Sequence, residues 1–565
     1  MKQLKKYFRK RGNTMGEYLS PGVYVEEYDN SPRAIEGVGT STAGFVGLAE
    51  KGPVIGAPSL ITNFSEFVKQ FGGFLSDFEF GEYRYLANSV EQFFANGGTR
   101  CFVARVTPPD AKTAKATQGN LIVSAANPGK WGNRIQVELG IVTKKKLQII
   151  KKEADGYVAK STSGFREGDL VVVGDEYNKI ATVLDNKITF EKEFTADIVD
   201  DAFVPKTVLY LVEIDMQVRY KDQVENYSGL NLNPISPNYI ITRTDKSEIV
   251  KFDLEATDVV GNPMEEIFGA GADSGIIMLE GGTDGTVDSI NAGTYIGDDN
   301  GPGKRTGIQS FVENTVVSIL AVPGITIPEV VVALVAHCEN LKSRFAVIDM
   351  PKDATKTKEL IEYRGMIDST YAAMYHPWIQ VFDRSVNKPS IIPPSGAVMG
   401  VYSRTDVQRG VHKAPANESI ACTGLALNYT QGEQDILNPE GINLIRALPG
   451  QGIKIWGART ASTNASFKYV NVRRLFIYIE ESIKANTSWV VFEPNDQTLW
   501  SRVAFSISSF LDSAWRNGML AGSSPAEGYF VEIGSSTMTR TDPIFEGAAT
   551  ALITPLNENG VDYEA

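Results

Sequence analysis

The chain has 565 residues, a formal net charge of −13, and 42% hydrophobic against 22% charged residues. That length exceeds a single hydrophobic core and calls for roughly three or four domains. The acidic balance disfavours a nucleic-acid binder, which needs a basic face, and no apolar run approaches the ~18 residues of a membrane span.

Residues 1–14 hold Lys2, Lys5, Lys6, Arg9, Lys10 and Arg11 and no acid. They lack the apolar stretch of a secretory signal, and Met15 offers a start of its own. From Tyr18 to Tyr28 the sequence alternates like a strand behind a Pro21-Gly22 turn signal. A second strand is expected at Phe45–Leu48. From Glu82 a helix is expected with Leu86, Val90, Phe93 and Phe94 on one face; Gly97-Gly98 stops it, and Cys101–Val106 is the next strand.

Between about 107 and 275 the pattern changes to short alternating runs broken by Gly, Asp and Asn, such as Leu170–Val173, Ile180–Val183 and Ile188–Phe190. Closely spaced strands of this kind predict an inserted β domain. Helical periodicity then returns. The apolar run Val316–Val322 is followed by a Pro323-Gly324 turn, a helix opened by Pro328 with Val330, Leu334, His337 and Leu341 on one stripe, and a strand at Phe345–Ile348. This is a βαβ unit. Near the end, Val472, Leu475, Phe476, Ile479 and Ile483 make a helical stripe and Trp489–Phe492 reads as a buried strand. Asp496 caps a last helix carrying Leu499, Val503, Ile507, Phe510, Leu511 and Ala514, and Gly518 ends it. After Arg540 come five acids and no cation. The two charged ends are either solvated tails or mutually attractive between neighbouring copies.

The expected fold is therefore mixed α/β and multidomain. A basic segment and extended arm occupy 1–28. An α/β core spans 29–106 and 276–440, interrupted by a β-rich domain at 107–275, and a C-terminal α/β domain with an acidic tail fills 441–565.

Several ordered motifs carry a resemblance. They are Ser20-Pro-Gly-Val-Tyr-Val-Glu-Glu27, Asn127-Pro-Gly-Lys-Trp-Gly-Asn133, Gly281-Gly-Thr-Asp-Gly285 and Pro393-Pro-Ser-Gly396. Further on come Arg404-Thr-Asp406, Arg409 to Asn417, Trp456-Gly-Ala-Arg-Thr460, Asn471-Val-Arg-Arg-Leu475 and Phe492-Glu-Pro-Asn-Asp496. In number and order these resemble the contractile tail sheath proteins of phages and phage-like injection systems, from about residue 16 to about 541. The end departs from the pattern: Ala548–Thr554 leads to Pro555 and the acidic tail.

The resemblance implies a structural subunit without cofactor, catalytic or metal residues. It would assemble in the bacterial cytoplasm as stacked hexameric rings around an inner tail tube, with a baseplate and a tail terminator as further partners, and then form part of a virion tail or a released tail-like particle. Nucleic acid and membrane insertion are not expected. By the same resemblance, Tyr18, Val23, Tyr24, Val25, Glu26 and Glu27 form an inter-subunit arm. Tyr529, Phe530, Val531, Glu532 and Ile533 form the strand that receives one, by β-augmentation. Arg473, Arg474 and Lys484 face the tube, or else Arg473 and Arg474 pair with acids of their own helix.

The competing reading is a monomeric cytosolic α/β enzyme. Asp349 ends a strand, where α/β sheets bind ligands, and with Asp353 and Thr326 could line a pocket. No phosphate-cradling glycine motif accompanies them, and an Asp at a strand end is also a common turn former or helix cap. His337, on an apolar stripe, reads as a core residue. His412 lies among Arg404, Arg409 and Lys413, a cluster open to either a phosphate or a neighbour's acids. Asp298-Asp299-Asn300-Gly301 lacks the ligand spacing of a calcium loop. Cys101, Cys338 and Cys422 stand far apart and read as buried thiols.

Overall fold

The computed structural model describes residues 34–195, 207–254, 261–383, 387–494 and 496–533. The larger of its two units runs from residue 37 to 485; the smaller takes residues 34–36 and the described residues from 486 onward.

The larger unit is built on a nine-stranded sheet. Its middle is parallel: β1 (Ala43–Leu48), β2 (Cys101–Val106), β3 (Ile319–Ala321), β4 (Phe345–Asp349), β5 (Ala372–His376) and β6 (Ile442–Leu448) lie in the order β2-β1-β3-β4-β5-β6. Parallel strands are buried on both faces, and alternate residues divide accordingly. Phe45, Val103, Phe345, Val347 and Tyr375 point to one core; Val46, Ala104, Leu320, Ala346, Ile348 and Met374 point to the other.

Helices α1 (Leu86–Ala95), α3 (Ser395–Arg409) and α4 (Val470–Asn486) supply Val90, Phe93, Val398, Tyr402, Val470 and Ile477 to the first core. Helix α2 (Pro328–Leu341) supplies Val330, Leu334 and Cys338 to the second. Its start at Pro328 is the expected one: proline suits a first helical turn, where its missing N–H is not needed.

Helices α1 and α3 pack very closely. A β-carbon at Gly400 would lie 2.5 Å from the Phe93 carbonyl oxygen, and one at Gly396 would collide with the Ser89 backbone. The Pro393-Pro-Ser-Gly396 motif thus opens a helix whose glycines admit a neighbouring backbone.

Residues 107–283 leave and rejoin this core as a β-rich insertion. One part pairs a four-stranded sheet with a three-stranded sheet around Val123, Val137, Leu139, Met216, Val218, Phe252 and Ile277. The other is a closed barrel of Lys146–Glu153, Gly156–Ala159, Leu170–Val173, Glu176–Leu184, Lys187–Phe190 and Thr207–Leu211. It grows from the ends of strands Gln136–Val142 and Glu213–Tyr220, which pair with each other up to Val142 opposite Glu213.

The two signature motifs of the insertion meet where the chain crosses. Asn133 donates to the Gly282 carbonyl at 2.8 Å and accepts from the Gly282 N–H at 2.7 Å. The Lys130 N–H donates to Asp284 at 2.7 Å. Arg105, buried at the end of β2, donates to the carbonyls of Ala49, Gly52 and Pro128 at 2.9 Å each.

Two expectations need correction. The boundary at 440/441 cuts through the central sheet, since β6 pairs in parallel with β5. Trp489–Phe492 is not a strand: Ser488–Val490 is a 3₁₀ turn, and the N–H groups of Val490 and Val491 bond back to Thr487 and Ser488, which takes the donors a ladder would need. No strand follows residue 488 among the described residues. Among the described residues of the smaller unit the regular elements are that turn, α5 (Gln497–Arg516) and the short helix Pro525–Gly528. Asp496 caps α5 by accepting from the Leu499 N–H at 2.8 Å, and the six expected apolar residues form its buried face.

Replacing Gly400 by Val should lower the unfolding free energy by about 3 kcal/mol through overpacking, measured by urea titration. Gly432→Ala, where a β-carbon meets nothing within 4 Å, should be neutral or slightly stabilising.

Candidate assembly site

Asp349 ends β4 and is 2% exposed. Its carboxylate accepts from the Ser395 N–H at 2.7 Å, the Ser395 hydroxyl at 2.7 Å and the Gly324 N–H at 3.0 Å. Ser395 is the first residue of α3, so the carboxylate caps that helix and ties it to the turn before α2. Burial pushes the Asp349 carboxyl up to about 6 against the pull of those three donors. Thr326 gives its carbonyl to the Tyr363 hydroxyl at 3.1 Å, and Asp353 is exposed. The three residues make no shared pocket chemistry; Asp349 is a helix cap.

The other polar candidates are similarly committed to structure. His337 lies 3.3 Å from buried Arg344, and burial with that cation lowers it to about 3, so it stays neutral. Arg404 donates to the carbonyls of Asn96 and Ser419, and Lys413 to those of Ala414 and Ala416. These cations hold loop backbone rather than an anion site. Asp299 pairs with Arg305 at 2.7 Å. Cys101 and Cys338 are buried and Cys422 is half-buried.

Arg473 and Arg474 are not exposed at the surface of this chain. Both are buried on α4: Arg473 finds an acid of its own helix, as the sequence offered, and Arg474 finds one that local periodicity does not reveal. Arg473 stacks over Phe467 at 4.3 Å and Tyr371 at 4.5 Å, and pairs with Glu480 of its own helix at 3.1 Å. Arg474 forms a two-pronged pair with Asp406 of α3, at 3.0 and 2.5 Å, with both side chains 3% exposed. Lys484 alone of the three is solvent-exposed, near Glu481 at 3.2 Å.

The arm residues Tyr18, Val23, Tyr24, Val25, Glu26 and Glu27 lie outside the described residues. Tyr529 to Ile533 form no strand in this chain. Tyr529 is extended (φ −162°, ψ 160°), but no described segment forms a ladder with it. A strand exists only as a member of a ladder, so an edge awaiting a partner from another chain carries no strand pairing alone.

Sequence reasoning missed the polar root of the N-terminal segment. Thr40 donates its hydroxyl to Asp406 at 2.7 Å while its carbonyl accepts from Arg474 at 3.0 Å. The Val38 N–H donates to Ser482 of α4 at 3.0 Å. Partners 366 to 444 residues apart leave no periodic signal.

With this geometry in place, the similarities become interpretable. A family model described as the phage tail sheath protein central domain matches residues 301–461, which hold β3 to β6, α2 and α3. One described as the phage tail sheath C-terminal domain matches residues 462–536, which hold α4 and α5. Residues 301–536 are thus similar to the central and C-terminal domains of phage tail sheath proteins.

Among its relatives is the tail sheath protein of Burkholderia phage BcepMu, 27% identical over 255 residues, 41% of this chain and 53% of the relative. Another is that of Escherichia phage P2, 24% identical over 261 residues, 43% of this chain and 65% of the relative. The aligned stretch thus spans between half and two thirds of these sheath proteins. The crystal structure of a sheath tail protein from Listeria innocua shares the fold, with a TM-score of 0.52 at 12% identity over 93% of this chain and 97% of that one. The mixed α/β multidomain fold is thus shared with that solved protein.

The Asp349 cap gives a signed pH dependence. A carboxyl whose folded value is raised above its unfolded one adds stability below the unfolded value, and loses it as pH rises through the folded value. Between pH 4 and about 6, the stability of the natural chain should therefore fall relative to Asp349→Asn. The variant itself should be less stable overall, since an amide nitrogen cannot accept the bonds that one carboxylate oxygen takes. Chemical denaturation at several pH values measures both.

Proposed function

We propose that this chain is the subunit of a contractile sheath, polymerising as stacked hexameric rings around an inner tube and shortening to drive that tube through a target envelope. The observation that carries the reading is the uninterrupted match of central and C-terminal sheath domains over residues 301–536. The burial of Asp349 as a helix cap supports it further by removing the residue on which the enzyme reading rested.

On this reading the subunit assembles in the bacterial cytoplasm and ends in a virion tail or a tail-like particle, with the tube, the baseplate and a terminator as partners. Arm residues Tyr18 to Glu27 would add a strand to a neighbour, and residues 529–533 are our candidate for the receiving edge. Main-chain bonds worth about 1 kcal/mol net each would make every arm a modest link, multiplied along the assembly. Lys484 is the remaining candidate for a tube contact.

Negative-stain electron microscopy of the purified chain, with and without its tube protein, should show hollow rods or rings. A homogeneous small particle under both conditions, together with absence of the chain from intact particles, would overturn the reading. Deleting residues 15–28 should abolish rods while leaving a folded monomer by circular dichroism. Lys484→Glu should weaken co-sedimentation with the tube protein several-fold without changing thermal stability; equal co-sedimentation would remove Lys484 from the tube surface.

A further inference from the structure

Residues 37–42 precede β1 and have no regular secondary structure, yet side chains from several elements grip them. Beyond the contacts of Val38 and Thr40 with Ser482, Asp406 and Arg474, the Ser318 hydroxyl donates to the Thr40 carbonyl at 2.5 Å. The Ser403 hydroxyl of α3 donates to the Ser41 carbonyl at 2.9 Å, and Arg100 donates to the Thr42 hydroxyl at 2.8 Å. A β-carbon at Gly37 would collide with the Tyr478 hydroxyl of α4, so glycine lets the backbone pass beneath that ring. At the centre is the Asp406–Arg474 pair, which is almost dry and has the Tyr402 ring 4.7 Å from its guanidinium carbon. A charge pair excluded from water and bidentate in geometry is rigid, and removing either partner leaves the other uncompensated.

We propose that Thr40, Asp406, Arg474 and Ser482 form the mechanical root of the N-terminal arm. This rests on the sheath reading, in which arms link subunits. Tension drawn along the arm meets several hydrogen bonds from residues 38–41 to α3 and α4 before it reaches β1. The load then divides between two helices packed on one face of the central sheet. Without these contacts the same tension would act on the first residues of β1 and peel them from β2 and β3 one rung at a time. Hydrogen bonds loaded together resist far better than bonds loaded in sequence. The four residues are positioning residues: they fix where the arm leaves the body, and the arm itself makes the inter-subunit contact.

The test uses complete particles carrying Thr40→Val with Ser482→Ala, which keeps the Asp406–Arg474 pair and therefore the fold. Rods should assemble to normal length, and the melting temperature of the isolated subunit should stay within a few degrees. Hydrogen exchange at Val38 should quicken at least tenfold while α3 and α4 stay protected. After triggering, the fraction of contracted sheaths that are broken should rise at least fivefold. Variant sheaths that contract intact, or exchange at Val38 that does not change, would overturn the proposal. Failure of the natural chain to form sheaths would instead overturn the sheath reading on which it depends. Thr40→Ser, which restores the hydroxyl, should rescue exchange and sheath integrity when combined with native Ser482.

Discussion

The structure depends on a parallel sheet that must be covered on both faces. Parallel strands cannot be joined by tight turns, so every connection crosses a face and brings a helix or a long excursion with it. The alternate residues of β1 to β5 are apolar on both sides for that reason. Coverage then requires close helix packing, and Gly396 and Gly400 supply it by letting α3 meet the α1 backbone. The same helix starts on the Asp349 carboxylate. One strand end thus fixes the helix that lies over the sheet, and a residue type associated with catalysis is used here for architecture.

Long loops leave carbonyl groups without ladder partners, and a buried carbonyl needs a donor. Buried guanidinium groups meet this need repeatedly. Arg105 gathers carbonyls from residues 49, 52 and 128; Arg344 gathers those of Phe311 and Asn314; Arg474 takes that of Thr40. Each joins segments distant in sequence, which suits a planar group with five donors. Removing Arg105 or Arg344 would strand more than one backbone acceptor at once.

What the sequence discloses follows from how local each signal is. Helix α2 begins at its proline, and α5 buries the six residues its periodicity marks, because one amphipathic stripe and one cap decide each. The run Trp489–Phe492 misleads because a four-residue apolar stretch has no period: its backbone turns, and Val491 is 60% exposed. Arg473 and Arg474 look like surface residues until Asp406, Tyr371 and Phe467 are brought beside them by the fold. The Asn133–Gly282 clasp joins two motifs that are visible separately, but nothing in either names the other. Closure of the six-stranded barrel is likewise a matter of register between distant strands.

That barrel has a consequence for how the protein varies. It enters and leaves through Val142 and Glu213, which sit opposite each other on adjacent strands. Chain entering there can be of almost any length and return to the same rung, because closure of a longer loop costs only logarithmically more. The insertion is thus nested: a sandwich grafted on the sheet, and a barrel grafted on the sandwich. Selection can remodel the tip of such a graft without touching the helices that cover the central sheet, so the graft and the core are free to evolve at different speeds.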